Sequence, residues 1–338
     1  MASNGSLSAP AAEGSQAGTS PHISVLVCSF NPRPDYLARV LRSLAAQTLP
    51  RHQWELLLVD NASDPPLAGS WDLSWHPRGR VTREEQLGLT AARARGIKEA
   101  TGELLVFVDD DNVLPANYLA QVLELTRRYP HVSVFGAGVL EPEFEIAPPS
   151  ELSPVLQLLA LRNEAAPLWS NNVNDSRCIA WGAGLCVTRR IAAAYLEFIG
   201  QLTIWNVLDR RGSDLNCGGD DLFSWVSVWT GCGFGVFPGL RVTHLIRAER
   251  LTENYIVRLR YAHAYSHGIL RYMVFGEEPS APSLVKGMQI LLHGLYRGRF
   301  SMRCLWAMAR GTRAARRYLR DSGLRPVTHL TLAGSHPY

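Results

Sequence analysis

Apolar residues fall at two spacings along this chain. Three stretches are almost continuously apolar: Ile23 to Cys28, Trp54 to Val59, and Leu104-Leu105-Val106-Phe107-Val108. Such runs read as strands buried on both faces, as in a parallel sheet. Between them the apolar residues recur every three or four positions. Leu37, Val40, Leu41 and Leu44 make one helical face, with Asp35 as the expected cap. Further helices are expected from about Leu87 to Ala100, stopped by Gly102, and from about Pro115 to Tyr129. Val132 to Phe135 is another strand. This β-α-β-α-β alternation predicts an α/β fold, a mostly parallel sheet with helices on both faces.

The third apolar run ends in Asp109-Asp110-Asp111-Asn112. Adjacent carboxylates repel one another, so a buried strand needs a counter-charge there. A divalent metal at the C-terminal edge of the sheet would supply it, and that edge is where open α/β sheets take ligands. Hard oxygen ligands suit Mg²⁺ or Mn²⁺. A solvated acidic loop is the alternative. The first strand–helix turn, Cys28-Ser29-Phe30-Asn31-Pro32-Arg33-Pro34, has no glycine. A dinucleotide-binding fingerprint or a phosphate-binding P-loop needs glycines at this turn, so both are excluded.

The second half adds two signals. Trp181-Gly182-Ala183-Gly184 enters an apolar strand, and Asn216-Cys217-Gly218-Gly219-Asp220-Asp221 precedes an apolar helix. Gly235 to Pro238 and Arg241 to His244 follow.

From Ile23 to His244 the pattern resembles an inverting family 2 glycosyltransferase of GT-A fold. The motifs are Ser29-Phe30-Asn31, Val59-Asp60-Asn61-Ala62-Ser63, the Asp-x-Asp element in Asp109-Asp110-Asp111, and Gly218-Gly219-Asp220 with His244 beyond it. The resemblance implies a nucleotide-sugar donor and a divalent metal, Mn²⁺ or Mg²⁺. It implies nucleotide contacts from Ser29 and Phe30, a hydrogen bond from the base to Asp60, and a further contact from Arg83 or Arg93. Asp109 would belong to the same donor site, Asp110 would approach the ribose, and Asp111 would bind the metal. His244 would complete the metal site or contact phosphate. Asp220 would be the general base, with Asp221 its rival. Two departures stand out: Gly219 replaces the usual Glu of the acidic turn, and Leu222 replaces a later acid. The Gln-x-x-Arg-Trp element of processive synthases is absent, which implies single addition.

The 338 residues suit a tail over 1–21, a transferase domain over 22–275 and a basic helical extension over 276–338. The tail is rich in Ala, Ser, Gly and Pro and reads as disordered, without the basic and apolar pattern of a secretory signal. No apolar run reaches the roughly 18 residues of a spanning helix. Six cysteines without a Cys-x-x-Cys pair fit reduced thiols and a cytoplasmic protein. The net charge is +4, and from Lys286 to Arg325 ten basic residues face one acid, Asp321. Met288 to Arg320 mixes these arginines with Leu, Trp, Met and Phe. It is therefore a candidate for contact with an anionic membrane surface, against a solvated helical face. No nucleic-acid module accompanies the charge.

Taken singly, several residues have plainer readings. Arg93 and Arg95 are expected on a solvated helix face, and Asp175 and Asp209 at the surface or as caps. Trp181 fits either core packing or sugar stacking. The acceptor hydroxyl would sit on a glycan, a lipid-linked sugar or a small molecule, in polysaccharide, glycolipid or glycoconjugate synthesis. A non-catalytic nucleotide-sugar-binding or membrane-adaptor protein, or a nucleotidyltransferase, are the alternatives.

Overall fold

The computed structural model describes residues 21–280 apart from 203, 205, 206 and 208, together with 288 and 298–327. Most of the expected tail, and Lys286 and Arg297 of the basic region, lie outside the described residues.

The chain follows the expected alternation. The elements are β1 (Ile23–Ser29), α1 (Pro34–Ala45), β2 (Trp54–Asn61), β3 (Gly79–Glu84), α2 (Leu89–Glu99), β4 (Leu104–Asp109), β5 (Asn112–Val113), α3 (Tyr118–Arg128) and β6 (Val132–Phe144). There follow β7 (Arg162–Asn163), β8 (Leu168–Ser170), β9 (Leu185–Thr188), α4 (Arg189–Gln201), α5 (Gly219–Trp229), β10 (Gly233–Ile246), α6 (Glu253–Phe275) and α7 (Arg299–Ser322). One sheet runs β3-β2-β1-β4-β9-β6-β10-β5, with β7 paired to β6 and β8 to β10. Strands β1, β2, β3 and β4 are mutually parallel, as are β6 and β10. Strand β9 runs antiparallel between β4 and β6.

The unbroken apolar runs are buried on both faces because helices cover both. Leu26, Leu57, Val59 and Phe107 pack beneath α2, α4 and α5 against Tyr195, Phe223 and Trp225. Their alternate neighbours Val25, Val27, Leu56, Leu58, Val106 and Val108 pack against Leu37, Val40 and Tyr118 of α1 and α3. That period of two is the pleat of a strand.

Four boundaries differ from expectation. Helix α1 begins at Pro34, so Asp35 lies within its first turn and pairs with Arg33 rather than capping it. Helix α2 begins at Leu89 because Gly88 has φ 141°, which favours glycine. Helix α3 begins at Tyr118, after the proline. Strand β6 continues to Phe144 and the two late apolar segments fuse into β10, because the pair runs side by side for most of their length.

The basic helix α7 spends its apolar side inside the protein. Cys304, Ala307, Gly311, Ala315 and Leu319 are buried. A Cβ on Gly311 would stand 2.3 Å from the Tyr261 carbonyl oxygen, so glycine lets α7 lie directly on α6. The outward side carries Arg310, Arg313, Arg316, Arg317 and Arg320, all exposed. Among the described residues no helix is long and apolar enough to cross a membrane.

Candidate active site

Parallel register sets the site. Cys28 pairs with Asp109 across β1 and β4, and Ser29 pairs with Asp60 across β1 and β2. The C-terminal ends of three strands therefore meet at one edge, which opens into a cleft of about 1020 Å³. Ser29, Phe30, Asp109, Asp110, Asp111, Asp220, Asp221 and His244 all line it. Of the expected residues, Asp60 and Arg83 do not.

Asp60 is fully buried. It accepts from the Ser63 and Leu67 amides at 2.9 and 3.1 Å and from Arg83 Nη1 at 2.6 Å. Its carboxylate thus closes the loop after β2 instead of facing the cleft. Its neighbour Asn61 is the cleft residue, accepting from the Gly88 amide at 2.8 Å.

The triple carboxylate finds three different settings. Ser29 Oγ donates to Asp110 at 2.6 Å. Burial, and then the charge of Asp111, push Asp110 up to about 7 and Asp109 up to about 6. Burial also works against ionised Asp111, but Arg250 and His244 outweigh it and hold that carboxyl well below its usual range. Arg250 Nη2 lies 3.0 Å and His244 Nε2 3.6 Å from Asp111. His244 arrives there because β10 pairs with β5, setting His244 opposite Asn112. Arg247 and Arg250, on the turn just beyond β10, line the same end of the cleft. Neither arginine was singled out in the sequence, though both lie within six residues of His244.

The second acidic centre lies at the start of α5, near enough that Arg93 and Asp220 both act on Asp109. Arg93, expected in solvent, is buried: its side chain is only 3% exposed. It ion-pairs with Asp220 at 2.7 Å and Asp209 at 3.2 Å. Asp209 is likewise buried, correcting the surface reading. Asp220 also accepts from the Gly182 amide at 2.8 Å. A Cβ on Gly182 would meet Arg93 Nη2 at 2.4 Å, so a side chain there would have to move the guanidinium that pairs with Asp220.

The missing Glu of the acidic turn has a structural counterpart. Asp209 Oδ1 accepts from the Gly219 amide at 2.9 Å, and a Cβ on Gly219 would fall 2.1 Å from Asp209 Oδ2. A carboxylate thus fills the space that a side chain at 219 would need, delivered from ten residues earlier. Asp221 points the other way, 3.5 Å from His267 Nε2 on α6. Trp181 lines the cleft with the Arg162 guanidinium 3.9 Å over its ring.

Comparison with known proteins places this geometry in a class. Residues 24–165 match the family model Glycosyl transferase family 2. Over these residues, which carry the Asp109–Asp111 centre, the chain is similar to that glycosyltransferase family. The chain is 34% identical over 126 residues to the O-antigen biosynthesis protein RfbC of Myxococcus xanthus, covering 36% of this chain and 10% of that one. It is 30% identical over 96 residues to glycosyltransferase AglE of Haloferax volcanii, covering 28% of this chain and 31% of that one. The chain thus matches under a third of either relative's length. Its fold is similar to the mannosyltransferase PcManGT of Pyrobaculum calidifontis, solved with GDP-Man and Mn²⁺, at a TM-score of 0.52 and 18% identity. That likeness covers 90% of this chain and 80% of that one, and establishes the expected GT-A-type α/β fold with its helical C-terminal region.

Burial, then the charges of Asp220 and Asp209, push Asp221 up to about 7, with Arg271 opposing. A carboxyl whose folded pKa is raised stabilises the fold below its unfolded pKa, and that contribution fades as pH rises through the folded value. Asp221→Asn should therefore gain melting temperature relative to wild type between about pH 5 and pH 8. A difference that stays constant over that range would show that Asp221 titrates normally.

Proposed function

We propose that this chain transfers a sugar from a nucleotide-diphosphate donor to an acceptor hydroxyl, with inversion and one addition per encounter. The observation that carries the proposal is a single cleft with two acidic centres of different character. At one, carboxylates stand beside arginines and a histidine, a setting for a diphosphate. At the other, Asp220 is aimed by a backbone amide and a buried arginine, a setting for a base.

Asp111 and His244 fit a divalent ion. They offer an oxygen and a nitrogen donor at one buried point, Asp111 Oδ2 and His244 Nε2 lying 3.6 Å apart with Arg250 against both; the other ring nitrogen, Nδ1, is buried without a partner. Among the described residues no three such side chains converge, which suits an ion that takes its other ligands from phosphate and water. Mn²⁺ or Mg²⁺ held there would neutralise the leaving diphosphate as a Lewis acid. Arg247 and Arg250 would bind the phosphates, Asp110 would approach the ribose with Asp109 behind it, and Ser29 and Phe30 would line the nucleoside pocket. Asp60 and Arg83 would shape that pocket through their loop.

Asp220 would accept the proton of the acceptor hydroxyl as the new C–O bond forms and the sugar–diphosphate bond breaks. Arg93 would fix its orientation, and Asp221 is the alternative base. One base and direct displacement imply inversion without a covalent sugar–enzyme intermediate. The proposed division is a tail over 1–21, the transferase domain over 22–275 and the extension over 276–338. We place the protein in the cytoplasm, in polysaccharide, glycolipid or glycoconjugate synthesis.

Replacing Asp220 by Asn should lower transfer by roughly 10²- to 10⁴-fold while leaving nucleotide binding within about twofold. Asp221→Asn, measured in parallel, should keep most of the activity. Wild-type turnover in Asp220→Asn would remove that residue from the mechanism.

The outward arginines of α7 support a peripheral contact with anionic membrane. Because the apolar side of α7 is spent on α6, this contact would be electrostatic and weakened by salt. Cosedimentation with phosphatidylglycerol vesicles should fall in a variant with Arg310, Arg313 and Arg317 changed to Gln. Binding that survives both this change and high salt would exclude the α7 surface.

A further inference from the structure

The cleft continues past Asp220 and Asp221 onto one face of α6. Arg260, His263 and His267 are spaced three and four residues apart, so they share that face, and all three line the cleft. Arg210 lines it from the loop before α5. Leu259, Met308 and Thr312 are among the other residues of the wall.

This group is short of negative charge. Arg260 Nε is buried and has no hydrogen-bond partner. The charges felt by His263 are Arg210, Arg260 and His267, all of one sign, and burial with these cations pushes it down to about 4. Asp221 is paired with His267, and the charge of Arg210 also reaches Asp111. Near His267, Glu277 is engaged by Arg271 at 2.7 Å. Like charges gathered in a recess cost stability unless a ligand of opposite sign repays them.

Asp111, Arg250 and His244 contact each other, and none of them hydrogen-bonds to Arg260, His263 or His267 among the described residues. Arg210 is shared between the two ends, since its charge reaches both Asp111 and His263. Asp220 and Asp221 line the same cleft as this face of α6, and Asp221 touches it through His267.

We propose that Arg210, Arg260 and His263 form an acceptor subsite for a phosphate group, placing the acceptor's hydroxyl against Asp220. This rests on the transferase reading and adds the acceptor's class to it. Phosphate fits because it takes several N–H donors at once and carries up to two charges, matching two guanidiniums and a chargeable imidazole. Its arrival would favour the protonated form of His263. The phosphate could belong to a soluble acceptor or to a lipid headgroup, since Leu259 and Met308 leave an apolar wall beside it.

The test is NMR of the ¹³C-labelled histidine rings during titration with inorganic phosphate, methyl phosphate, and vesicles containing phosphatidic acid. A saturable shift of the His263 and His267 resonances is expected. In Arg260→Gln the midpoint should rise by about tenfold or more, since a charge-assisted contact is lost. Arg260→Lys should recover part of that affinity, and matched melting temperatures would show that the variants fold. A response to methyl phosphate supports a soluble acceptor, and one confined to vesicles supports a lipid-linked one. The proposal is overturned if phosphate moves only His244, or if His263 responds alike in wild type and Arg260→Gln. Nucleotide binding, followed on the same samples through His244, would report the donor site separately.

Discussion

Burying carboxylates without leaving them unpaired is the constraint on which this site depends. The parallel strands β1 and β4 deliver Asp109, Asp110 and Asp111 to a recess where water is scarce, and each solves the problem differently. Asp110 takes a hydroxyl from Ser29, Asp111 takes Arg250 and His244, and Asp109 stays closer to its protonated form. The partners come from opposite ends of the sequence. The β10–β5 pairing and the turn after β10 are as much a part of the site as the acidic strand itself.

The two acidic centres differ in how their counter-charge is held. Arg93 rises from α2 through the core and is almost wholly enclosed, so Asp209 and Asp220 keep a fixed partner. Removing it would leave the buried Asp209 unpaired beside the partly exposed Asp220, the costly form of a broken ion pair. Arg250 sits at the cleft wall and is 19% exposed, within reach of an incoming ligand. A fixed partner suits a residue that must keep one orientation. A partner at the wall suits a site whose own charge balance changes when a diphosphate binds.

Most of the sheet was legible because its strands are buried on both faces and so read as unbroken apolar runs. The candidate donor residues were legible because carboxylates rarely end such a run without cause. Other features depended on contacts that sequence spacing does not encode. Arg93 looks like any helical arginine until Asp209 and Asp220 are known to lie above it. Asp209 carries no motif, yet it occupies the space beside Gly219 and so accounts for the glycine there. Arg250 and His267 meet Asp111 and Asp221 through tertiary packing alone. Asp60 belongs to a recognisable motif, but its neighbours Ser63, Leu67 and Arg83 turn its carboxylate into the loop.

The central claim is that the Asp111 end of the cleft holds a nucleoside diphosphate together with a divalent ion. The direct measurement is a thermal-shift screen of UDP, GDP and dTDP species with and without Mn²⁺, on wild type and Asp111→Ala. Ligand at about a hundred times its dissociation constant stabilises the folded state by about 2.7 kcal/mol, enough to read as a rise of a few degrees. We expect a metal-dependent rise with one nucleotide class in wild type and its loss in Asp111→Ala. No rise with any nucleotide, or an equal rise in Asp111→Ala, would contradict the assignment.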